Sequence, residues 1–309
     1  MEMYQDLASL PKTPIEPVVT IGNFDGVHRG HQSILATLKE EGARIGAPTM
    51  VITFYPHPRQ VLRPDAEFHA IMSLRERMRR FWDLGIDHAL VLRFDEDLAE
   101  LTATEFVEEI LWDALKVKAV HVGRDMAIGH KREGDIRFLA SKGRHLGFNV
   151  GIVEPVYSDQ QVISSSRIRT LILEGRMKEA TRLLGRPHRV AGTVIKGDQR
   201  GRELGFPTAN VRSDGAMLPP NGVYAAWVSG PEGERLQGVV NIGVRPTFKE
   251  GEAPLVEVHL LEFEGDLYGQ HLNVELVDHI RAEARFEGPA LLKRQITRDV
   301  LEAKRLLAG

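Results

Sequence analysis

Short apolar runs separated by longer amphipathic stretches make up the first half of the chain. Two amphipathic stretches begin with a hydroxyl followed three residues later by Glu, at 73–76 and 102–105, which is the capping-box pattern of a helix start. Strands that alternate with helices at this spacing form parallel βαβ units. We therefore predict an α/β domain with a parallel sheet built from VVTI (18–21), MVITF (50–54), ALVLRF (89–94), AVHV (119–122) and NVGIV (149–153).

The pattern changes after two further predicted helices, at about 165–174 and 177–184. The segment GRPH (185–188) is typical of a linker. Beyond it, turn signals are closely spaced and short runs such as GVYAAWV, GVVNIGV, LVEVHLL and HLNVELV alternate, which predicts a small antiparallel barrel. A helix at about 289–307 follows. We expect one domain over residues 1–186 and a second over 187–309.

Composition narrows the class of protein. The chain has 309 residues, of which 42% are hydrophobic and 27% charged, so it is long enough for two globular domains. A formal net charge of −3 provides no large basic field for nucleic acid. The chain has no cysteine, no apolar run long enough to span a membrane and no export signal, so we expect a cytoplasmic protein with neither a nucleic-acid nor a membrane partner. The basic run RERMRR (75–80) is typical of the solvated face of a helix, with anion binding as the alternative.

The residues that could bind a ligand or take part in catalysis directly follow the predicted strands. GNFDGVHRGH (22–31) follows the first strand, YPHP (55–58) the second and GRD (123–125) the fourth. Open α/β sheets bind ligands at the carboxyl ends of their strands. His28 and His31 begin a helix, where free backbone N–H groups favour an anion such as phosphate, and Gly30 leaves room for it. Two surface histidines beside a turn are the alternative, while a metal site lacks further ligands.

A second candidate phosphate site lies in ISSSRIR (163–169). It brings hydroxyls together with Arg167 and Arg169 at a predicted helix start, although a capped helix with exposed arginines has the same pattern. Together with the histidine motif, this segment resembles the paired signatures of the HxGH nucleotidylyltransferases, which transfer a nucleotide from ATP and release pyrophosphate.

The predicted barrel has its own candidate site. GTVIKGDQRGRELGFPTAN (192–210) is rich in glycine and matches neither a P-loop nor a dinucleotide-binding motif. Thr208 and Asn210 are two apart, so on an extended segment both face one side and offer oxygen ligands to Mg²⁺, unless PTAN is simply a turn. In LVEVHLL, Val256 and Val258 lie on one face of the predicted strand, and Glu257 and His259 lie on the other. The alternation alone predicts that this second face is exposed to solvent.

These motifs, with TFYPHP, PPNGVYA, NIGVRPTF, VEVHLLEFEGDLYG and IRAEARF in the same order, closely resemble the bacterial bifunctional riboflavin kinase/FMN adenylyltransferase (FAD synthetase) family. The resemblance runs from about Val18 to Leu307. It implies a Rossmann-like nucleotidylyltransferase domain that joins AMP from ATP to FMN. It also implies a C-terminal six-stranded riboflavin kinase barrel that phosphorylates riboflavin with Mg²⁺ and ATP. The implied partners are thus the small molecules riboflavin, FMN and ATP, with FMN and FAD as products.

The resemblance also implies residue roles. In the first domain His28 and His31 are catalytic, and the ATP and pyrophosphate contacts are Gly22, Phe24, Asp25, Gly30, His57, Ser164, Ser165, Arg167 and Arg169. In the barrel Glu257 is the general base, Thr208 and Asn210 hold the metal, and the glycines that wrap ATP are Gly192, Gly197, Gly201 and Gly205. Flavin contacts are Asp125, Met126 and Arg281. Met126 and Ile128 stand where the family usually has aromatic residues, Tyr55 replaces a commonly acidic residue, and Ser166 replaces a common Thr.

Three other functions fit parts of the sequence. A flavin sensor would bind nucleotide without turnover, but it needs neither the metal pair nor a base. An adenylyltransferase for another phosphate substrate leaves GFPTAN and VEVH without a role. A transfer-RNA ligase with HxGH-like signatures conflicts with the charge balance.

Overall fold

The computed structural model describes residues 1–197, 201, 204–230, 233–243 and 255–308. It divides into two compact units, the first Met1–Phe68 with Leu74–Ser164 and the second His69–Ser73 with Ser165–Gly309. The predicted domain boundary between residues 186 and 187 stays a prediction. Residues 198–200, 202 and 203 of the glycine-rich segment and residues 244–248 of NIGVRPTF lie outside the described residues. None of the described helices has the length and apolar character needed to cross a membrane.

A parallel six-stranded sheet organises the first unit, in the order β1-β4-β3-β2-β5-β6. Strands β2 to β6 confirm the five runs predicted from the sequence, and β1 is an additional strand that pairs in parallel with β4. The bounds are β1 Glu2–Tyr4, β2 Val18–Ile21, β3 Thr49–Tyr55, β4 His88–Arg93, β5 Ala119–Gly123 and β6 Asn149–Val153, with β7 Tyr157–Ser158 and β8 Gln161–Val162 forming a separate small sheet.

Helices cover this sheet and bury its apolar residues. The α-helices are α1 Arg29–Ile45, α2 Pro58–Leu62, α3 Leu74–Asp83, α4 Glu96–Glu100, α5 Ala103–Glu105 and α6 Ile136–Leu146, with a π-helix at Phe106–Ala114 and 3₁₀ turns at Leu7–Ser9 and His130–Arg132. The predicted capping box at Thr102 and Glu105 is confirmed, since each side chain bonds to the other residue's backbone N–H. The core joins the inward residues of the strands to the π-helix through Phe106, Ile110 and Leu111.

The basic run on α3 is not a solvated face along its whole length, so that expectation is wrong in part. Arg79 is exposed, but Arg77 is only 3% exposed and Glu76 6%. Their burial depends on how α3 packs against the sheet, which the run of charges does not reveal.

The second unit contains a closed antiparallel barrel in the order β10-β13-β12-β11-β14-β9, which confirms the predicted architecture. Its strands and helices are α7 Ser165–Leu173, α8 Met177–Leu184, β9 His188–Ile195, β10 Ala209–Ser213, β11 Gly222–Ser229, β12 Arg235–Gly243, β13 Leu255–Leu260, β14 His271–Ala282 and the C-terminal helix α9 Pro289–Leu307. Alternate residues of β11 face opposite sides. Tyr224 and Ala226 fill the barrel, whereas Val223 and Ala225 pack against α9.

Candidate active sites

The first candidate site lies at the centre of the parallel sheet. Strand β2 pairs with β3 on one side and with β5 on the other, so the strand order reverses direction there. In α/β sheets such a point opens a crevice at the carboxyl ends of the strands. The loop Gly22–His28 leaves β2 at this position and leads directly into α1. The sequence motif and the expected ligand crevice therefore coincide.

Left-handed backbone shapes this loop. Phe24 and Val27 have φ values of 50° and 38°, which side-chain-bearing residues rarely adopt. The Phe24 ring is 2% exposed and packs edge-on against Phe81 at 5.6 Å and His31 at 5.1 Å between ring centroids. Asp25 is also buried, at 2% exposure. The contacts of the aromatic ring stabilise a strained turn next to the histidines, and such strain is commonly found at functional sites.

His28 and His31 lie face to face, with ring centroids 3.6 Å apart. His28 is the N-cap of α1, and its Nδ1 accepts a hydrogen bond from the backbone N–H of His31 at 3.3 Å. A ring nitrogen that accepts a hydrogen bond carries no hydrogen, so the neutral His28 ring has its hydrogen on Nε2. This tautomer offers an N–H donor of the kind that phosphate oxygens accept.

His57 adopts a similar arrangement one strand away. It is the N-cap of α2, and its Nδ1 accepts from the backbone N–H of Arg59 at 3.1 Å. Its ring stacks on Phe68 with centroids 4.3 Å apart. The tautomer argument applied to His28 gives His57 an Nε2–H donor as well.

Gly30 brings the histidine motif against the start of the second phosphate motif. A Cβ at Gly30 would lie 3.2 Å from Nδ1 of His28 and 3.5 Å from the carbonyl oxygen of Ile163. Ile163 is the residue before Ser164, so the backbone of ISSSRIR begins beside the glycine of the HxGH motif.

The remaining predicted pyrophosphate residues stand on the first turns of α7. Ser165, Arg167 and Arg169 flank the fully buried Ile168, and Arg169 Nε donates to the carbonyl of His69 at 3.2 Å. Both arginine side chains are partly exposed. The helix start predicted from the sequence is confirmed, and the phosphate-binding role stays a prediction.

The segment after β5 holds the predicted flavin contacts. Asp125 is exposed, and its carbonyl accepts from Arg132 Nη2 at 2.9 Å. Met126 packs against the core of the sheet, and Ile128 is part of that core at 7% exposure. The aliphatic character of Ile128 is therefore explained by packing inside the unit.

The second candidate site is built on the outer surface of the barrel. Asn210 on β10 and Glu257 on β13 are directly opposite in the strand register, as are Glu257 and Asn241 on β12. Asn241 Nδ2 donates to Glu257 Oε2 at 3.4 Å. Val256 and Val258 point into the barrel, which confirms the predicted alternation. Glu257 is half-buried and Asn210 is buried at 6% exposure, so this face is not simply solvated.

Two glycines of the preceding segment lie against the predicted metal ligands. A Cβ at Gly197 would lie 2.0 Å from Nδ2 and 2.9 Å from Oδ1 of Asn210. A Cβ at Gly201 would lie 2.4 Å from the carbonyl oxygen of Phe206 and 3.3 Å from Oγ1 of Thr208. A side chain at Gly197 or Gly201 would collide with these neighbours, so the close approach to Asn210 and Thr208 requires glycine.

The other two glycines of the segment have different surroundings. A Cβ at Gly192 would meet the carbonyl oxygen of Arg212 on the paired strand at 2.1 Å, so closure of the barrel requires this glycine. Gly205 has a φ of 85° in open surroundings, which suits a turn. Their roles in ATP binding stay predictions.

His259 was not assigned a role from the sequence. Its Nδ1 lies 2.8 Å from the carbonyl oxygen of Pro207, and its ring packs edge-on against Phe206 at 5.4 Å. It stands two residues after Glu257 on the same face of β13. The only indication in the sequence was that His259 stands two residues after Glu257 and therefore faces the same side of the strand.

Arg281, a predicted flavin contact, is held by the C-terminal helix. Its Nε and Nη2 donate to the carboxylate of Asp299 at 2.8–3.1 Å, and Gln295 Nε2 donates to the same carboxylate at 2.8 Å. Asp299 is 3% exposed. The pair fixes the guanidinium in one orientation, while contact with flavin stays a prediction.

Two compact units, each with its own candidate site, indicate a two-domain transferase. The family model described as FAD synthetase matches residues 10–167, and the riboflavin kinase model matches residues 184–307. The Escherichia coli (strain K12) bifunctional riboflavin kinase/FMN adenylyltransferase is 41% identical over 305 residues, covering 98% of this chain and 97% of its own. The Pseudomonas fluorescens protein of the same name is 41% identical over 309 residues, covering 100% and 98%.

The chain belongs to the bifunctional riboflavin kinase/FMN adenylyltransferase family, which confirms the resemblance. A solved structure described as a macrolide-efflux protein from Streptococcus pneumoniae has a TM-score of 0.87 at 31% identity and covers 98% of both chains. That description applies to the Streptococcus pneumoniae protein, and what it shares with this chain is the fold.

Proposed function

We propose that this enzyme makes FAD from riboflavin in two steps, phosphorylation at the barrel and adenylylation in the first unit. The observation that supports the proposal best is that each unit holds its own cluster of site residues. One brings His28 and His31 together at the start of α1, and the other places Asn210 beside Glu257 on the barrel. We assign the histidine cluster to adenylylation and the cluster of Asn210 and Glu257 to phosphorylation.

In the adenylylation step, a phosphate oxygen of FMN attacks the α-phosphorus of ATP in line with the leaving group. The bond from the α-phosphorus to the oxygen bridging it to the β-phosphorus breaks, and pyrophosphate leaves with that electron pair. The Nε2–H groups of His28 and His57 donate to triphosphate oxygens. His31, which stacks on His28, helps to hold the triphosphate and to neutralise its charge. Their stabilisation is greatest when negative charge accumulates in the transition state, so catalysis is by positioning and charge neutralisation. The hydroxyls and guanidiniums of ISSSRIR receive the pyrophosphate.

In the phosphorylation step, Glu257 accepts the proton of the terminal ribityl hydroxyl of riboflavin. The hydroxyl oxygen then bonds to the γ-phosphorus of ATP, and ADP leaves. The hydrogen bond from Asn241 orients the Glu257 carboxylate. Gly197 lies against Asn210 and Gly201 against Thr208, where a side chain on either glycine would collide with its neighbours.

The residues present fit a magnesium ion. Thr208 and Asn210 offer neutral oxygen donors, and the absence of a Cβ at Gly197 and Gly201 leaves both side chains in place. Mg²⁺ binds few protein ligands and keeps phosphate oxygens and water in its shell. When bound, the ion neutralises charge on the transferring phosphate. Thr208 and Asn210 would hold it.

The test is to incubate the purified chain with riboflavin, ATP and Mg²⁺ and to separate the flavins by chromatography over time. We expect FMN to appear first and FAD to follow. Riboflavin that is bound but unchanged would indicate a flavin sensor. FMN without FAD would limit the activity to the barrel.

A further inference from the structure

One arginine of the basic run on α3 is buried, although two other arginines of the run face solvent. Arg77 is 3% exposed, whereas Arg75 and Arg79 are exposed. A solvated charged face on a helix does not account for an arginine whose guanidinium is buried. Arg77 therefore requires an explanation of its own.

The guanidinium of Arg77 joins the two segments that carry the histidines. Its Nη1 donates to the carbonyl oxygen of Asn23 at 2.6 Å, to Oγ1 of Thr53 at 3.0 Å and to the carbonyl oxygen of Phe54 at 3.3 Å. Thr53 Oγ1 in turn donates to the same Asn23 carbonyl at 3.2 Å. Asn23 belongs to the loop that leads to His28. Phe54 is near the end of β3, shortly before His57.

This arrangement carries an energetic cost. Burial lowers the pKa of the Arg77 guanidinium, and the charges of Asp25 and Tyr55 offset that effect only in part. The three hydrogen bonds go to uncharged oxygens, so they do not form an ion pair. An apolar side chain in such a position commonly gives equal or greater stability than a buried charge. Retention of the charge is therefore better explained by what it holds in place than by stability.

We propose that Arg77 is a positioning residue for FMN adenylylation, fixing the loop of His28 and His31 relative to the segment of His57. The inference rests on the proposed function of the first unit. Arg77 acts through the histidines, because its contacts are with the backbone and Thr53 in the segments that carry them.

The test compares Arg77→Met and Arg77→Lys with Arg79→Met, a matched control on the exposed face of the same helix. In Arg77→Met we expect kcat for adenylylation to fall roughly 10²-fold with little change in the KM for FMN, since loosened histidines lose transition-state contacts. The rate of Arg77→Lys should be intermediate. All three hydrogen bonds are donated by one nitrogen, Nη1, which a lysine ammonium can replace, but the lysine side chain lacks the planar guanidinium. Riboflavin phosphorylation should stay at the wild-type rate in all three chains.

A second readout separates positioning from a purely structural role. In a His31→Ala background the Arg77→Met change should reduce the rate by a smaller factor than in the wild type, because one group it positions is already absent. Equal factors in both backgrounds would overturn the proposal, as would wild-type kcat in Arg77→Met. If Arg77→Met does not fold, Arg77→Lys decides, and wild-type kcat there overturns it. Failure of the wild-type chain to make FAD would instead contradict the proposed function.

Discussion

Replacing Gly197 with alanine tests the kinase site, because one added methyl group meets a proposed metal ligand. The new Cβ would lie 2.0 Å from Nδ2 and 2.6 Å from Cγ of Asn210. To restore an ordinary contact of roughly 3.5 Å, the Asn210 side chain must move by more than about 1 Å. Asn210 is buried at 6% exposure, which limits its freedom to move. A displacement of about 1 Å in a catalytic group costs on the order of 10²-fold in rate.

We therefore expect Gly197→Ala to lower kcat for riboflavin phosphorylation by roughly 10²-fold and to raise the Mg²⁺ concentration for half-maximal activity. Conversion of supplied FMN to FAD should be unchanged, which provides a control in the same chain. The matched variant is Gly230→Ala, whose Cβ would meet only Leu272 Cδ2 at 3.9 Å. The reasoning is refuted if Gly197→Ala phosphorylates riboflavin at the wild-type rate with wild-type Mg²⁺ dependence.

Three further predictions follow from the two sites. His31→Ala should lower FAD formation by ~10²–10³-fold while FMN accumulates, as flavin chromatography would show; normal FAD production would contradict the role of His31. Glu257→Gln keeps the side-chain shape but removes the base, so riboflavin phosphorylation should fall roughly 10²–10⁴-fold while supplied FMN still becomes FAD; an unaffected rate would leave Glu257 as a surface residue. A fragment of residues 187–309 should fold and phosphorylate riboflavin. Because it lacks α7 and α8, including Met177, which is fully buried in the barrel core, it should unfold with a lower free energy than fragment 165–309, measured by denaturant titration; equal stability would contradict this packing argument.

The hydrophobic pattern was enough to predict most strands and helices. The run predicted at 149–153 is β6, and the helix predicted at about 177–184 is α8. Both combine a regular apolar period with clear turn residues at their ends. Strand β1 could not be predicted in this way, since its three residues Glu2–Tyr4 pair with β4 far along the chain. Its existence depends on a long-range contact rather than on a local pattern.

The candidate sites were predictable where chemistry and local structure coincide in the sequence. His28 and His31 follow a strand and begin a helix, so their placement follows from the motif itself. The burial of Arg77 could not be predicted from the sequence. It lies in a run of charged residues typical of an exposed face, and its burial follows from how α3 packs. Gly192 shows the opposite case. It belongs to a glycine-rich motif, yet the approach of Arg212 on the next strand already explains the glycine.

Mixing two variants, each defective in one of the two steps, tests the central claim most directly, namely that one chain carries two separate sites acting in sequence. His31→Ala and Glu257→Gln are each incubated with riboflavin, ATP and Mg²⁺, first alone and then in equal amounts. Alone, His31→Ala should stop at FMN and Glu257→Gln should leave riboflavin largely unchanged. The mixture should make FAD, because FMN released by one chain is a substrate for the other. A mixture that makes no FAD, or a single variant that makes it at the wild-type rate, would contradict the account.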